Sequence, residues 1–195
     1  MKYTDEILIK KGNEYKQFSY GNLKEGMYIQ GVFYEFARQK LTLEDISIIL
    51  PTNFSDMPLA MAKVKYPSEQ RPDIIKMNVE SDINFTFKLL EFPHAEQNLE
   101  QIIHYFYQVI QKTQPANVFY EKDFLPIMGK KLGWFDFKSH AIDCKLYNLM
   151  YVIPIKDKLL HGIFNCPYAK SKVWKSVALS VISSLESEDW KEEVL

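Results

Sequence analysis

The sequence predicts an α+β fold in which an antiparallel sheet is sandwiched by helices. Three observations carry that prediction. Strand-like runs dominate and follow one another along the chain with short polar turns between them. Long helical stripes, around residues 99–110 and 173–185, interrupt these runs. The strands towards the C-terminus are apolar on both of their alternating faces, so each side of the sheet needs a cover.

Taken in order, residues 1–40 are strand-rich, and "MYIQGVFYEFA" alternates large side chains. "LTLEDISIILP" then reads as a strand running into Pro51. "SDMPLAMAKVKYP" fits a short helix, with Ser55 or Asp56 as cap, Pro58 in the first turn and Pro67 as the stop. Strands follow at about 73–79 and 82–90, joined by the polar "ESD", with Ile83, Phe85, Phe87 and Leu89 on one face. In "EQNLEQIIHYFYQVIQ" the residues Leu99, Ile102, Ile103, Phe106, Val109 and Ile110 form one helical stripe. Strands at roughly 131–141, 144–154 and 158–166 come next. The last helix repeats Val173, Trp174, Val177, Ala178, Val181, Ile182 and Leu185 at spacings of three and four.

A turn centred near Asp157 would place Met150 opposite Phe164 and Asn148 opposite Cys166. Tyr147, Leu149, Tyr151, Ile153 and Ile163 then share the other face. In that register Cys144 lies on the order of 13 Å from Cys166, beyond disulfide reach.

Composition narrows the function. The 195 residues are 47% hydrophobic and 14% aromatic, a globular profile with rings suited to pleated surfaces. The net charge is −1, and Arg38 and Arg71 are the only arginines, which argues against nucleic acid as a partner. Charges interrupt every short apolar run near the N-terminus, and no run has the length of a membrane-spanning helix. Cys144 and Cys166 are the only cysteines, without CxxC or His spacing for a metal, so a reduced, cytoplasmic protein without cofactor or metal is expected.

"ISIILPTNFSDM" resembles the opening strand and turn of the PsbP-like superfamily. "GWFDFKSHAIDCKLYNLMYVIPIKDKLLHGIFNCP", followed by "VWKSVALSVISSLE", is similar to that superfamily's closing strands and last helix. The resemblance covers roughly residues 41–187 and rests on pattern and order, not on a catalytic signature. It implies a PsbP-like α/β/α sandwich over 41–195, of bacterial type, with residues 1–40 as a strand-rich extension. It also implies work by surface contact, since relatives include a photosystem accessory subunit, a nuclear import factor that binds a small GTPase, and bacterial effector chaperones.

Several residues invite chemistry. Cys166 ends a strand shortly before a helix, where a thiolate can be stabilised, with His161 or His140 as candidate base. His161 is five residues away on the same strand, however, and therefore points to the opposite face. Cys166 also lines up with Leu160 and Phe164, which reads as a small buried apolar residue. "SHAID" brings Ser139, His140 and Asp143 together, although sequence neighbours seldom form a triad, and a hairpin turn accounts for them. In "KVKYPSEQRPDII", Lys65 and Arg71 suit an anion or a partner carboxylate, or else Arg71 forms a local ion pair. His104 has no second ligand at helical spacing. Trp190, in the acidic tail "SEDWKEEVL", is either a handle for a partner or a ring packed back on the domain.

The reading that results is a non-enzymatic protein-binding module, accessory or chaperone-like, with room for a homodimer. Its expected contact residues are Tyr28, Tyr34, Tyr147 and Tyr151, together with Arg71 and Trp190. The alternative is a small thiol-dependent enzyme centred on Cys166. A lipophilic-ligand carrier is a third option, and it requires a cavity between sheet and helix. Binding predicts an inert Cys166 and an exposed apolar patch, whereas catalysis predicts a pocket at Cys166 and a depressed thiol pKa.

Overall fold

The computed structural model describes residues 19–141 and 144–192. The sequence readings that fall on residues 1–18 and on Asp143 lie outside those residues. The first strands, β1 (Ser19–Asn22), β2 (Gly26–Ile29) and β3 (Val32–Tyr34), form an antiparallel meander of their own. Next, β4 (Phe36–Lys40) pairs with β5 (Ile46–Pro51), and a two-residue strand near the C-terminus joins β5 from the other side.

The central feature is a seven-stranded antiparallel sheet. Its strands are β6 (Ser55–Asp56), β7 (Ile74–Met77), β8 (Asn84–Glu91), β9 (Val118–Ile127), β10 (Lys130–His140), β11 (Lys145–Ile155) and β12 (Lys158–Pro167). They lie side by side in the order β6-β7-β8-β12-β11-β10-β9. Short helix α1 (Leu59–Lys65) follows β6, α2 (Leu99–Thr113) follows β8, and α3 (Ser171–Ile182) follows β12 after a single 3-10 turn. β13 (Glu186–Ser187) and α4 (Glu188–Glu192) end the described chain.

The sheet is covered on both faces, because its strands are apolar on both. On one face α3 buries Val173, Trp174, Val177, Ala178, Val181 and Ile182 against Phe85, Leu149, Tyr151, Ile153, Phe164 and Cys166. On the other, α2 lays Leu99, Ile102 and Ile103 on Phe135, Phe137, Met150, Val152 and Leu159. The ends of the stripes predicted for these helices separate in burial: Val109 of α2 is exposed, while Leu185 just beyond α3 is fully buried.

The structure departs from the sequence expectation at several strands. β11 and β12 pair Tyr147 with Cys166, Leu149 with Phe164 and Met150 with Ile163, one residue away from the expected register. The two-residue turn is Lys156-Asp157, and Lys156 takes a positive φ of 51°. A slip of one residue moves a strand's side chains to the other face. Ile163 therefore joins Met150, and Cys166 joins Tyr147.

Ser55 and Asp56 do not cap α1. They pair with β7, and Pro58 occupies the N-cap without a side-chain bond. β9 escaped the sequence reading because Glu121, Lys122, Asp123 and Pro126 interrupt its apolar residues. An edge strand tolerates such residues, and β9 is an edge strand.

Candidate functional site

The catalytic constellation of the alternative reading does not assemble. Cys166 is fully buried in the α3-side core, and burial pushes its thiol well above the usual range. His161 sits on the α2 side of the same strand and stacks on Phe106 of α2 at 5.2 Å. Burial lowers its pKa to about 4, and the nearby Lys88 adds to the shift. His140 is exposed at the end of β10, paired with Lys145 across the hairpin. Ser139 accepts a hydrogen bond from Asn148 Nδ2 at 2.8 Å. Among the described residues, no three His, Cys, Asp or Glu side chains converge as metal ligands would.

The proposed contact tyrosines divide sharply. Tyr147 and Tyr151 are enclosed in the core, so neither is a surface contact. Both are at positions where a ring can bury its apolar body and still bond its hydroxyl. Tyr147 donates to buried Asp136 at 2.8 Å, and Tyr151 donates to the Thr86 carbonyl at 3.1 Å. The Tyr151 ring crosses directly over Gly162, where any Cβ would stand 2.2 Å from it. Tyr34 is half-buried, edge-on to Trp174 at 5.6 Å. Trp190 is only 2% exposed and packs into the core, so it is no handle for a partner.

Tyr28 is the exception. It is 42% exposed, in the middle of β2, directly opposite Tyr20 on β1 and Phe33 on β3. Tyr20 stacks on it at 5.1 Å and Phe33 leans on it at 4.9 Å. Tyr20 and Phe33 are themselves 52% and 46% exposed. The Phe33 ring lies across Gly26, where a Cβ would meet it at 2.4 Å. Residues alternate across the meander, so Met27 and Ile29 point inward and are buried while the three rings form an outward ladder. Tyr20 and Phe33 were missed in the sequence because only the cross-strand register aligns them with Tyr28.

A second feature lies on the α2 side of the central sheet. There α1 covers β7 through Ala62, Ile75 and Met77, and α2 covers β10 and β11, but the strands between these helices carry no helix among the described residues. A groove of about 760 Å³ opens in that gap. Its floor is a row of asparagines, Asn84, Asn165 and Asn148, on three adjacent strands, with Thr86, Ile163 and His161 further along. Tyr66 to Pro72 forms one wall, and Ala141, Cys144 and Leu146 form the other.

The amides are linked. Asn84 Nδ2 donates to Asn165 Oδ1 at 2.9 Å, Asn165 Nδ2 donates to the Tyr66 hydroxyl at 3.1 Å, and Thr86 Oγ1 bridges the backbone of Ile163. Arg71, singled out from the sequence, lines this groove. It forms no local ion pair among the described residues, and its Nε donates to the Tyr66 carbonyl at 3.2 Å. Cys144 is exposed at the opposite wall as a free thiol, and Cys166 is also free.

Comparison with known proteins agrees with this architecture. No family model matches the chain, and no curated protein matches it in sequence. Among solved structures, it is similar to the cyanobacterial PsbP (CyanoP) of Synechocystis sp. PCC 6803, with a TM-score of 0.59 at 13% identity over 78% of this chain and 92% of that one. A Bacteroides thetaiotaomicron VPI-5482 protein gives a TM-score of 0.48 at 10% identity, over 74% of this chain and 45% of that one. A Pseudomonas aeruginosa protein of unknown function gives 0.43 at 11% identity, over 73% and 93%. No described helix is long and apolar enough to cross a membrane. The antiparallel sheet between helices, together with the likeness to CyanoP, establishes that this chain has the PsbP-like fold.

Proposed function

We propose that this chain is a non-catalytic, protein-binding module of the accessory or chaperone-like kind, working in the cytoplasm. The observation that carries the reading is the ladder of Tyr20, Tyr28 and Phe33, three exposed rings held in register on a small sheet. Rigid aromatic rings combine large apolar area with little rotamer entropy, which suits a contact surface. The ladder belongs to the strand-rich extension, residues 1–40, which we treat as a unit added to the core at 41–195. A buried Cys166 with a raised thiol pKa supports binding over thiol catalysis, since a nucleophile needs thiolate and access.

The test is site-specific photocrosslinking in the native host. A photoreactive phenylalanine analogue at Phe33 should give a discrete adduct with a second protein. The same analogue at Val79, exposed on the β7–β8 turn, should not. A Tyr28→Ser change should remove most of the Phe33 adduct. An adduct of this chain with itself would replace the reading by a homodimer, and equal labelling from both positions would refute it.

A further inference from the structure

We infer that the groove over β8, β12 and β11 binds a free, medium-length organic acid, with its carboxylate at Arg71 and Lys88 and a hydrogen-bonding group at its far end on the asparagine row. The inference is independent of the aromatic ladder. It begins with charge. Lys65, Arg71 and Lys88 all line the groove, and each directs its side-chain hydrogen bonds among the described residues to neutral oxygens. Lys65 bonds the Ser81 carbonyl, Arg71 the Tyr66 carbonyl, and Lys88 the Gln70 backbone and side-chain oxygens and the Arg71 carbonyl. None has a carboxylate partner among the described residues. Asp82, the only acidic residue lining the groove among the described residues, is occupied by Lys170 at 2.8 Å. Among the described residues the site thus carries positive charge with no carboxylate set against it, and an anion complements it.

The floor specifies the rest of the ligand. Leu146, Ile163 and Pro167 offer apolar surface, which suits a hydrocarbon body and would strip water from a compact dianion at a cost. Asn84 is 3% exposed, and its Oδ1 has no hydrogen-bond partner among the described residues. A buried amide left this way is costly unless something completes it. From the Lys88–His161 row to the Asn84–Asn165 row is four residues along β8, about 13 Å. With a hydrogen bond at each end, an extended acid of roughly eight carbons bridges that span.

The probe is ω-hydroxyoctanoate, compared with octanoate, ω-hydroxyoctanamide and inorganic phosphate. Binding is followed by calorimetry and by protection of Cys144, whose exposed thiol sits on the groove wall while Cys166 is buried. The hydroxy acid should slow Cys144 alkylation at least about fivefold at saturation. The neutral amide should bind about tenfold more weakly, and Arg71→Gln or Lys88→Gln should reproduce that loss for the acid. Octanoate, lacking the far-end group, should bind several-fold more weakly than the hydroxy acid.

Equal binding of acid and amide would overturn the inference, as would binding that leaves Cys144 unprotected or no binding at millimolar concentration. Phosphate binding as tightly as the acid would reduce the groove to a simple anion site and would also overturn it. A free-C-terminus tripeptide binding more than about tenfold tighter than the acid would replace the small ligand by a peptide terminus. The acid–amide comparison uses the unaltered protein, so it does not depend on any variant folding.

Discussion

The same strands present two very different surfaces on the two sides of the central sheet. Towards α3 the side chains of β8, β12 and β11 are Phe85, Phe87, Phe164, Leu160, Tyr151 and Leu149, all buried. Towards α2 the corresponding positions on the same strands include Asn84, Thr86, Lys88, His161, Asn165 and Asn148. One residue of alternation separates a dry core from an open, polar groove. The α3 side concentrates stability, because its rings meet a long helix and exclude water. The α2 side is left partly uncovered, and a surface that is not required for packing is free to take a ligand.

Substitutions should expose this asymmetry, the largest effect coming from the closed side. Trp174 is 1% exposed and touches Tyr34, Phe54 and Phe164 in ring contacts of 5.6–6.3 Å. Trp174→Ala should cost about 3–5 kcal/mol of stability, read as a lowered urea midpoint with an unchanged slope. A loss below about 1 kcal/mol would mean that α3 is not the main cover of that face.

A smaller effect should come from His161, at the border where the groove meets α2. Its folded pKa of about 4 lies below the ordinary value of 6.5. In the unfolded chain it takes a proton first as pH falls, so the stability it contributes above about pH 6.5 is lost progressively towards pH 4. Because the ring is only partly enclosed, the loss should be about 1–2 kcal/mol. His161→Phe keeps an aromatic ring against Phe106 and should flatten the stability difference between pH 7 and pH 5. The same pH dependence in both proteins would assign it to other groups.

The smallest effect belongs to the groove rim. Arg71→Gln should change stability by less than about 0.5 kcal/mol, since among the described residues its side chain bonds a single carbonyl. That near-neutrality makes the variant a clean probe of ligand binding. A loss of several kcal/mol would place Arg71 among the structural residues and blur the distinction between the two faces.

The ladder and the groove differ in how much of them a sequence reveals. Tyr28 could be chosen as a large amphipathic residue on a strand, but choosing Tyr147 and Tyr151 by the same rule led into the core. Residue type gives a preference for surface or interior, and only the surrounding elements decide which one is realised. Arg71 could be noted as an unassigned cation in a proline-bracketed loop, and among the described residues its expected local ion pair does not form. The asparagine row had no signal at all. Asn84, Asn148 and Asn165 lie 64 and 17 residues apart along the chain, and become neighbours only through the registers of β8, β12 and β11.

By itself the sequence determined the class of the fold and the main elements of both covers. Hydrophobic period is local: the stripe of α3 and the two-faced strands follow from residues within one segment, and burying them allows few arrangements. Tertiary structure decided the register at Lys156-Asp157, the burial of Cys166 beside Tyr147, the edge strand β9 and the unfilled gap between α1 and α2. Each of these depends on how distant segments meet. A shift of one residue in a turn, or the reach of one helix over a sheet, alters which side chains share a face without changing any local pattern.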